Sequence, residues 1–273
     1  MQIERYSHSQ LTGFSPNRFG FELEVEVKER RNRQTVADKF DQLLKIGHTA
    51  ENQPVHLKED SSLRYGFEIV SKPLPMAELK QLLCQVAKIG RSTRALDSWD
   101  SPRCGFHFHI GAEHFENALQ LTRFLWVFQA LYIVDLFLIP VAGRKPNRWA
   151  RRLPRGVKLS YRDAFAHKIQ FTLPSRYFAV NLENPHTIEV RLFRGSLQDA
   201  TLLRYVELIE LLLGFSKQPC SSTRTLGRQL RRYYLDNKAS FPNLDSFLVK
   251  NNIWPYRAAV ETPLMTDTQT GGV

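Results

Sequence analysis

The stretch "RFGFELEVEV", residues 18–27, alternates apolar and acidic residues without a break. Successive side chains of an extended strand point to opposite faces. Phe21, Leu23, Val25 and Val27 therefore share one face, and Glu22, Glu24 and Glu26 share the other. Three further segments repeat the design. In "CGFHFHIG" (104–111), Phe106, Phe108 and Ile110 lie opposite His107 and His109. In "TIEVRLFRG" (187–195), Ile188, Val190 and Leu192 lie opposite Glu189 and Arg191. In "GFEIVSKP" (66–73), Phe67 and Ile69 lie opposite Glu68.

Any one of these segments alone reads as an amphipathic strand with a solvated outer face. Carboxylates two apart on a strand sit about 7 Å from each other, which water tolerates. A lone histidine pair is more often core than ligand. Together the segments read differently, because a solvated face normally mixes Lys, Thr, Ser and Glu. Here the polar faces carry acids, imidazoles and arginine, with lysine only near the ends at Lys28 and Lys72. Carboxylates gathered on one face repel and are costly to desolvate unless a cation sits among them. Oxygen-rich sites with imidazole suit Mg²⁺ or Mn²⁺ better than Zn²⁺, since no thiolate joins the set. At least one of His107 and His109 is expected to be a metal ligand or a phosphate contact.

Composition sets the frame. With 273 residues, 42% hydrophobic and 24% charged, the chain has room for a sizeable core. Cys84, Cys104 and Cys220 are odd in number and form no CxxC pair, which argues against a disulfide framework and favours a reducing cytoplasm. The start "MQIERYSHSQ" shows no apolar secretory region. The greasiest run, "FLWVFQALYIVDLFLIPVA" (124–142), is interrupted by Gln129, Asp135 and Pro140, so a buried helix is expected rather than a membrane span. The net charge of +11 points to an acidic partner such as nucleotide phosphates, a polycarboxylate or nucleic acid. Basic residues concentrate in a loop, "GRKPNRWARRLPRGVK" (143–158), and in a helix, "RTLGRQLRRYYLDNK" (224–238).

Periodicity places helices at 35–49, 75–90, 116–139, 160–170, 198–216, 223–236 and 243–251, with two strands around a turn in 54–74 and a strand pair at 177–184 and 187–195. The tail from about 260 reads as disordered. Strands interrupted by helices, with at least one hairpin, give an α+β fold: an antiparallel or mixed sheet with helices over one face.

The ordered series "FGFELEVE", "EDSSL" with "GFEIVSKPL", "CGFHFHIG" and "VNLENPHTIEVRLFRGSL" resembles the amidoligase family, carboxylate–amine ligases related in fold to glutamine synthetase and gamma-glutamylcysteine synthetase. The match runs from Phe19 to Ser196. The resemblance implies a curved, largely antiparallel sheet whose concave face holds Mg²⁺ and ATP, with helices on the other face. The chain is read as an amidoligase-like catalytic domain over 1–215, a C-terminal helical extension over 216–258 packed on it, and a disordered tail over 259–273; the basic C-terminal helices match no part of the family pattern. The resemblance implies ATP-dependent, ADP-forming amide-bond formation through an acyl phosphate. Glu22, His107 and Glu189 would hold the metal nearer the nucleotide, and Glu24 with Glu68 the metal nearer the carboxylate. His109 would touch a phosphate, and Arg191 the transferred phosphoryl group. Arg194 is a second candidate cation if the strand ends or bulges before it, Asp60 a candidate base, and Arg144 a candidate nucleotide contact. The substrates would be a carboxylate and an amine, with an acidic peptide suggested by the charge.

Two rivals remain. His107, His109 and Glu113 form an HxHxxxE pattern similar to the first metal motif of cupins, but cupins are nearly all β and the later Gly-Pro-Gly-His pattern is missing. A basic nucleic-acid-binding protein would use the loop and helix above, yet it leaves the acidic strand faces unexplained. Cys104 faces away from both histidines on a regular strand and reads as packing.

Overall fold

A computed structural model describes residues 17–28, 32–44, 53–153, 176–184, 186–219 and 224–254. The helix expected at 160–170, the tail from 260, Cys220 and the end of the basic loop lie outside these residues.

Seven strands form one sheet: β1 (Phe19–Val27), β2 (Val55–Lys58), β3 (Gly66–Ser71), β4 (Leu96–Asp97), β5 (Gly105–Gly111), β6 (Val180–Asn181) and β7 (Thr187–Arg194). The order is β2-β3-β1-β5-β7-β6, with β4 paired to the end of β1, and every one of these pairings is antiparallel. The helices are α1 (Arg33–Leu44), α2 (Met76–Thr93), α3 (Ala118–Gln129), α4 (Leu131–Ile133), α5 (Ile139–Ala142), α6 (Asp199–Ser216), α7 (Leu226–Asn237) and α8 (Pro242–Lys250). The expected α+β class is thus observed, with a wholly antiparallel sheet rather than a mixed one.

The alternating strands put their aromatic residues on the helix side. Phe106 lies 6.0 Å, ring centre to ring centre, from Phe21 and from Phe193, and 5.9 Å from Tyr205 of α6. Phe193 stacks on Tyr205 at 4.6 Å. Such ring pairs add attraction beyond the apolar area they bury. Helix α6 sits at the centre of the helical layer, packed against α2, α3 and α8. Its buried Glu207 accepts from the Leu244 backbone N–H at 2.7 Å and from Asn243 at 2.6 Å. A carboxylate thereby satisfies the start of α8, where Phe241 offers no side-chain cap. Leu230, Tyr234, Leu244 and Leu248 join the same core as the strands.

The single helix expected over 116–139 is instead broken. Ala130 takes an extended conformation (φ −75°, ψ 99°), and the segments on either side are bent by 63°. A π-helical turn, Val134–Leu138, then precedes Pro140, whose ring nitrogen cannot donate to the preceding turn. Phe124, Phe128, Phe137 and Val141 of these segments are buried in the core. Among the described residues no single helix is long and apolar enough to cross a membrane.

Two irregularities shape the polar face. Phe106 pairs with Phe193 and Phe108 with Val190, so β7 bulges opposite His107. The added residue lets Phe193 rejoin the core instead of following the alternation outward. At the end of α5, Gly143 sits at φ 66°, a left-handed conformation suited to glycine, and it turns the chain so that Arg144 enters the polar face.

Phe106→Ala removes the ring that joins three neighbours and is expected to lower unfolding free energy by about 3–5 kcal/mol. Urea denaturation checks this, and a loss under about 1 kcal/mol would contradict the assigned packing.

Candidate active site

The polar residues of five neighbouring strands meet on the face opposite the helices. Glu22 stands across from His107 and Glu24 across from Glu68. His109 stands across from Glu189, and Lys58 across from Glu68. Glu22, Glu24, Glu68, Glu189, His107 and His109 are each at most 5% exposed, which excludes a solvated sheet face.

His107 lies at the junction of the set. Its Nδ1 is 3.2 Å from Glu22 Oε2 and 3.3 Å from Glu189 Oε1, and its Nε2 is 3.9 Å from Glu24 Oε1. His109 places Nε2 3.4 Å from Glu22 Oε1 and Nδ1 3.4 Å from the Thr187 hydroxyl. Asn181 donates to Glu189 at 2.8 Å, and Arg191 donates to the other Glu189 oxygen. Glu24 accepts from the Gly105 N–H, and Lys58 pairs with Glu68 at 3.2 Å. Glu26 shares the face but accepts from the Arg64 N–H at 3.1 Å, away from the cluster.

These neighbours divide the four acids into two kinds. Burial would raise the Glu22 carboxyl, but His109 and His107 hold it well below the usual carboxylate range. Burial likewise opposes ionisation of Glu189, and Arg191 and the two imidazoles bring it down. Glu68 is pushed well above the usual range by burial and by Glu22, with Lys58 opposing. Glu24 is raised by burial against the pull of His107. Two carboxyls are thus shifted below the usual range and two above it.

The donor set fits a divalent cation. Ligand atoms of Glu22, Glu68 and His107 lie within 4.8 Å of one another; so do those of Glu22, His109 and Glu189, and of Glu24, Asp60 and Glu68. Oxygen donors with one imidazole match Mg²⁺ or Mn²⁺. Above the acids opens a cleft of about 330 Å³, lined among others by Lys58, Asp60, Arg103, Arg144, Arg176 and Arg191. That volume lies at the lower end of the range for small-molecule sites, about 300–1,000 Å³.

The remaining candidates take different places around this arrangement. His109 and Glu189 lie beneath the cleft lining rather than in it. The bulge brings Arg194 opposite Gly105, yet its guanidinium stacks over Trp99 at 4.4 Å and donates to the Trp99 carbonyl at 2.6 Å, outside the cleft. Asp60 holds a tight turn by accepting from the Ser62 N–H at 2.7 Å, while still facing the cleft. Arg144 lines the cleft and reaches the Phe193 carbonyl at 3.4 Å. Glu113 is exposed beyond β5 and joins neither histidine, which removes the ligand set of the cupin rival. The Cys104 thiol is buried and pushed up by that burial, so it is not poised as a nucleophile.

Gly105 is needed for close approach. A Cβ there would meet Arg144 Nη1 at 2.7 Å, His107 Nε2 at 3.0 Å and Glu24 Oε2 at 3.2 Å. Sequence reasoning passed over Lys58, Asn181, Thr187, Trp149 and Tyr177. For Lys58 the signal was its place on the polar face of β2, two residues after His56.

A family described as "Putative amidoligase enzyme" matches residues 48–213. A solved structure, the complex between prokaryotic ubiquitin-like protein Pup and its ligase PafA, is similar at 11% identity with a TM-score of 0.38, over 85% of this chain and 62% of that one. This chain therefore spans less than two thirds of that protein's length. No curated protein matches the sequence.

A cation entering this cluster competes with protons at Glu24 and Glu68, whose carboxyls are raised. Mg²⁺ or Mn²⁺ binding is expected to release protons and to tighten as pH rises through the raised carboxyl range. Calorimetry in two buffers of different ionisation enthalpy measures this. Binding without proton release, or weaker at higher pH, would overturn the assignment.

Proposed function

Because this chain belongs to the amidoligase family, we propose that it joins a carboxylate to an amine in an ADP-forming reaction driven by ATP with Mg²⁺ or Mn²⁺. One observation carries the reading: four buried carboxylates and two imidazoles converge on one sheet face beneath a cleft edged with arginine.

The chemistry asks for these parts. An amine does not attack a carboxylate anion, which is electron-rich and lacks a leaving group. In the first step a carboxylate oxygen bonds to the γ-phosphorus of ATP, and the bond to the ADP oxygen breaks. The amine nitrogen then bonds to the acyl carbon, phosphate leaves with the carbon–oxygen bond pair, and the nitrogen gives up a proton. Phosphoryl transfer needs mainly positioning and positive charge. When bound, the divalent cations supply charge neutralisation at the phosphates and at the carboxylate.

The chain's own residues divide the remaining work. Glu22, His107 and Glu189, with His109 behind them, would hold the cation toward the nucleotide; Glu24 and Glu68 would hold the one toward the carboxylate. Arg191 and Arg144, both lining the cleft, would meet the transferring phosphoryl group. Asp60, half-buried at the opposite side, would take the amine proton. The net charge of +11 and the arginine rim favour an acidic carboxylate substrate such as an acidic peptide. A nucleic-acid strand is disfavoured, because that reading gives the buried acids of the strand face no role.

Purified protein with Mg²⁺ and ATP, screened against amino-acid and peptide carboxylates with amines, tests the proposal through phosphate release. Glu22→Gln and Glu189→Gln are each expected to lower release by at least about 100-fold with the fold retained. Glu113→Gln is expected to leave it unchanged. Full activity in both glutamine variants would defeat the proposal, and loss in Glu113→Gln would restore the histidine-pair alternative.

A further inference from the structure

The cleft is not uniform from end to end. At its β2–β3 end it is lined by Lys58, Glu59, Asp60, Ser61 and Ser62, all charged or hydroxyl-bearing. At its β7–β6 end it is lined by Trp149 and Tyr177, the two residues that give this otherwise polar cleft broad carbon-rich rings among the described residues. We propose that Trp149 and Tyr177 form the seat for the nucleobase of the triphosphate, which makes the β7–β6 end the nucleotide end and leaves the β2–β3 end to the carboxylate and amine. This inference rests on the reading of the protein as an ATP-dependent ligase.

The two rings are built into place rather than left on a loose surface. Asn147 Oδ1 accepts from the Trp149 N–H at 2.9 Å and from the Ala150 N–H at 3.0 Å, which fixes the turn carrying the indole. Two residues on, the Arg151 N–H donates to the Tyr177 carbonyl at 2.8 Å, and the Ala179 N–H donates back to the Arg151 carbonyl at 2.7 Å. The segments bearing the rings are therefore locked side by side. Ring centroids lie 5.2 Å apart at 72°, an edge-to-face contact. The Arg148 guanidinium lies 4.7 Å from the indole centroid and that of Arg176 5.1 Å from the Tyr177 ring.

The aromatic end also adjoins the phosphate-handling end of the acidic face. The Trp149 carbonyl accepts from Arg191 Nε at 3.4 Å, and Arg191 in turn holds Glu189. One strand thus links the rings to the acids that would sit nearest the nucleotide. A nucleobase presents a flat π surface that stacks on aromatic rings and guanidinium planes, whereas the phosphates do not. A cleft otherwise lined by formal charges and hydroxyls gives a base no comparable surface.

The test compares magnesium complexes of a non-hydrolysable ATP analogue and of inorganic tripolyphosphate, which lacks the base. The unaltered protein is expected to bind the analogue more tightly than tripolyphosphate. Trp149→Ala and Tyr177→Ala should each weaken the analogue about tenfold while leaving tripolyphosphate unchanged. Tyr177→Phe, which keeps the ring, should bind the analogue as the unaltered protein does. Circular dichroism and retained tripolyphosphate binding report on folding for each variant. Equal analogue binding in both alanine variants, or equal loss for both ligands in folded variants, would overturn the base seat while leaving the ligase reading in place. Failure of the unaltered protein to bind either magnesium complex would overturn both.

Discussion

Glu24 and Glu68 stand directly across from each other on neighbouring strands, both buried, with Lys58 paired to Glu68 and His107 approaching Glu24. Like charges in that relation destabilise a sheet, and two carboxylates taken from water cannot both ionise without a cation nearby. Burial raises both carboxyls, with the charge of Asp60 adding to it at Glu24 and those of Glu22 and Glu24 adding to it at Glu68. Lys58 pairs with Glu68 Oε2, and the Gly105 N–H donates to Glu24 Oε2. The rest of the polar face is arranged around this tension.

Glu22 and Glu189 form the complementary half. Their imidazole and guanidinium neighbours keep them anionic, so the protein itself balances that side of the face. His107, between the halves, touches Glu22 and Glu189 with one nitrogen and approaches Glu24 with the other. A single ring therefore relates the two groups of acids, and Gly105 keeps the space that lets Arg144 and Glu24 come close to it. The Phe106–Phe193–Tyr205 stack holds the same strands from behind, so packing on one face sets the spacing of charges on the other.

Much of this was legible in the sequence because a strand has period two. The alternation in 18–27, 104–111 and 187–195 assigned each acid and imidazole to its face before any pairing was known, and Glu22, His107 and Glu189 do converge. The bulge opposite His107 left a mark that is easy to pass over: Leu192 and Phe193 are adjacent apolar residues in an alternating strand. That bulge brings Arg194 to the polar side, but its capture by Trp99 depends on a loop distant in sequence. Lys58 opposite Glu68 depends on register, and the long irregular turn between β2 and β3 does not specify it locally. The break at Ala130 was hidden because the surrounding run is predominantly apolar, so little change of helical phase betrays it.

The central claim is that the buried acids exist to hold divalent cations. Anomalous diffraction from a crystal of the protein grown with Mn²⁺ locates such ions without reference to activity. The account predicts manganese peaks within bonding distance of Glu22 and Glu189 on one side and of Glu24 and Glu68 on the other. Well-ordered carboxylates in the same positions with no anomalous density among them, at Mn²⁺ concentrations that saturate binding in solution, would contradict it.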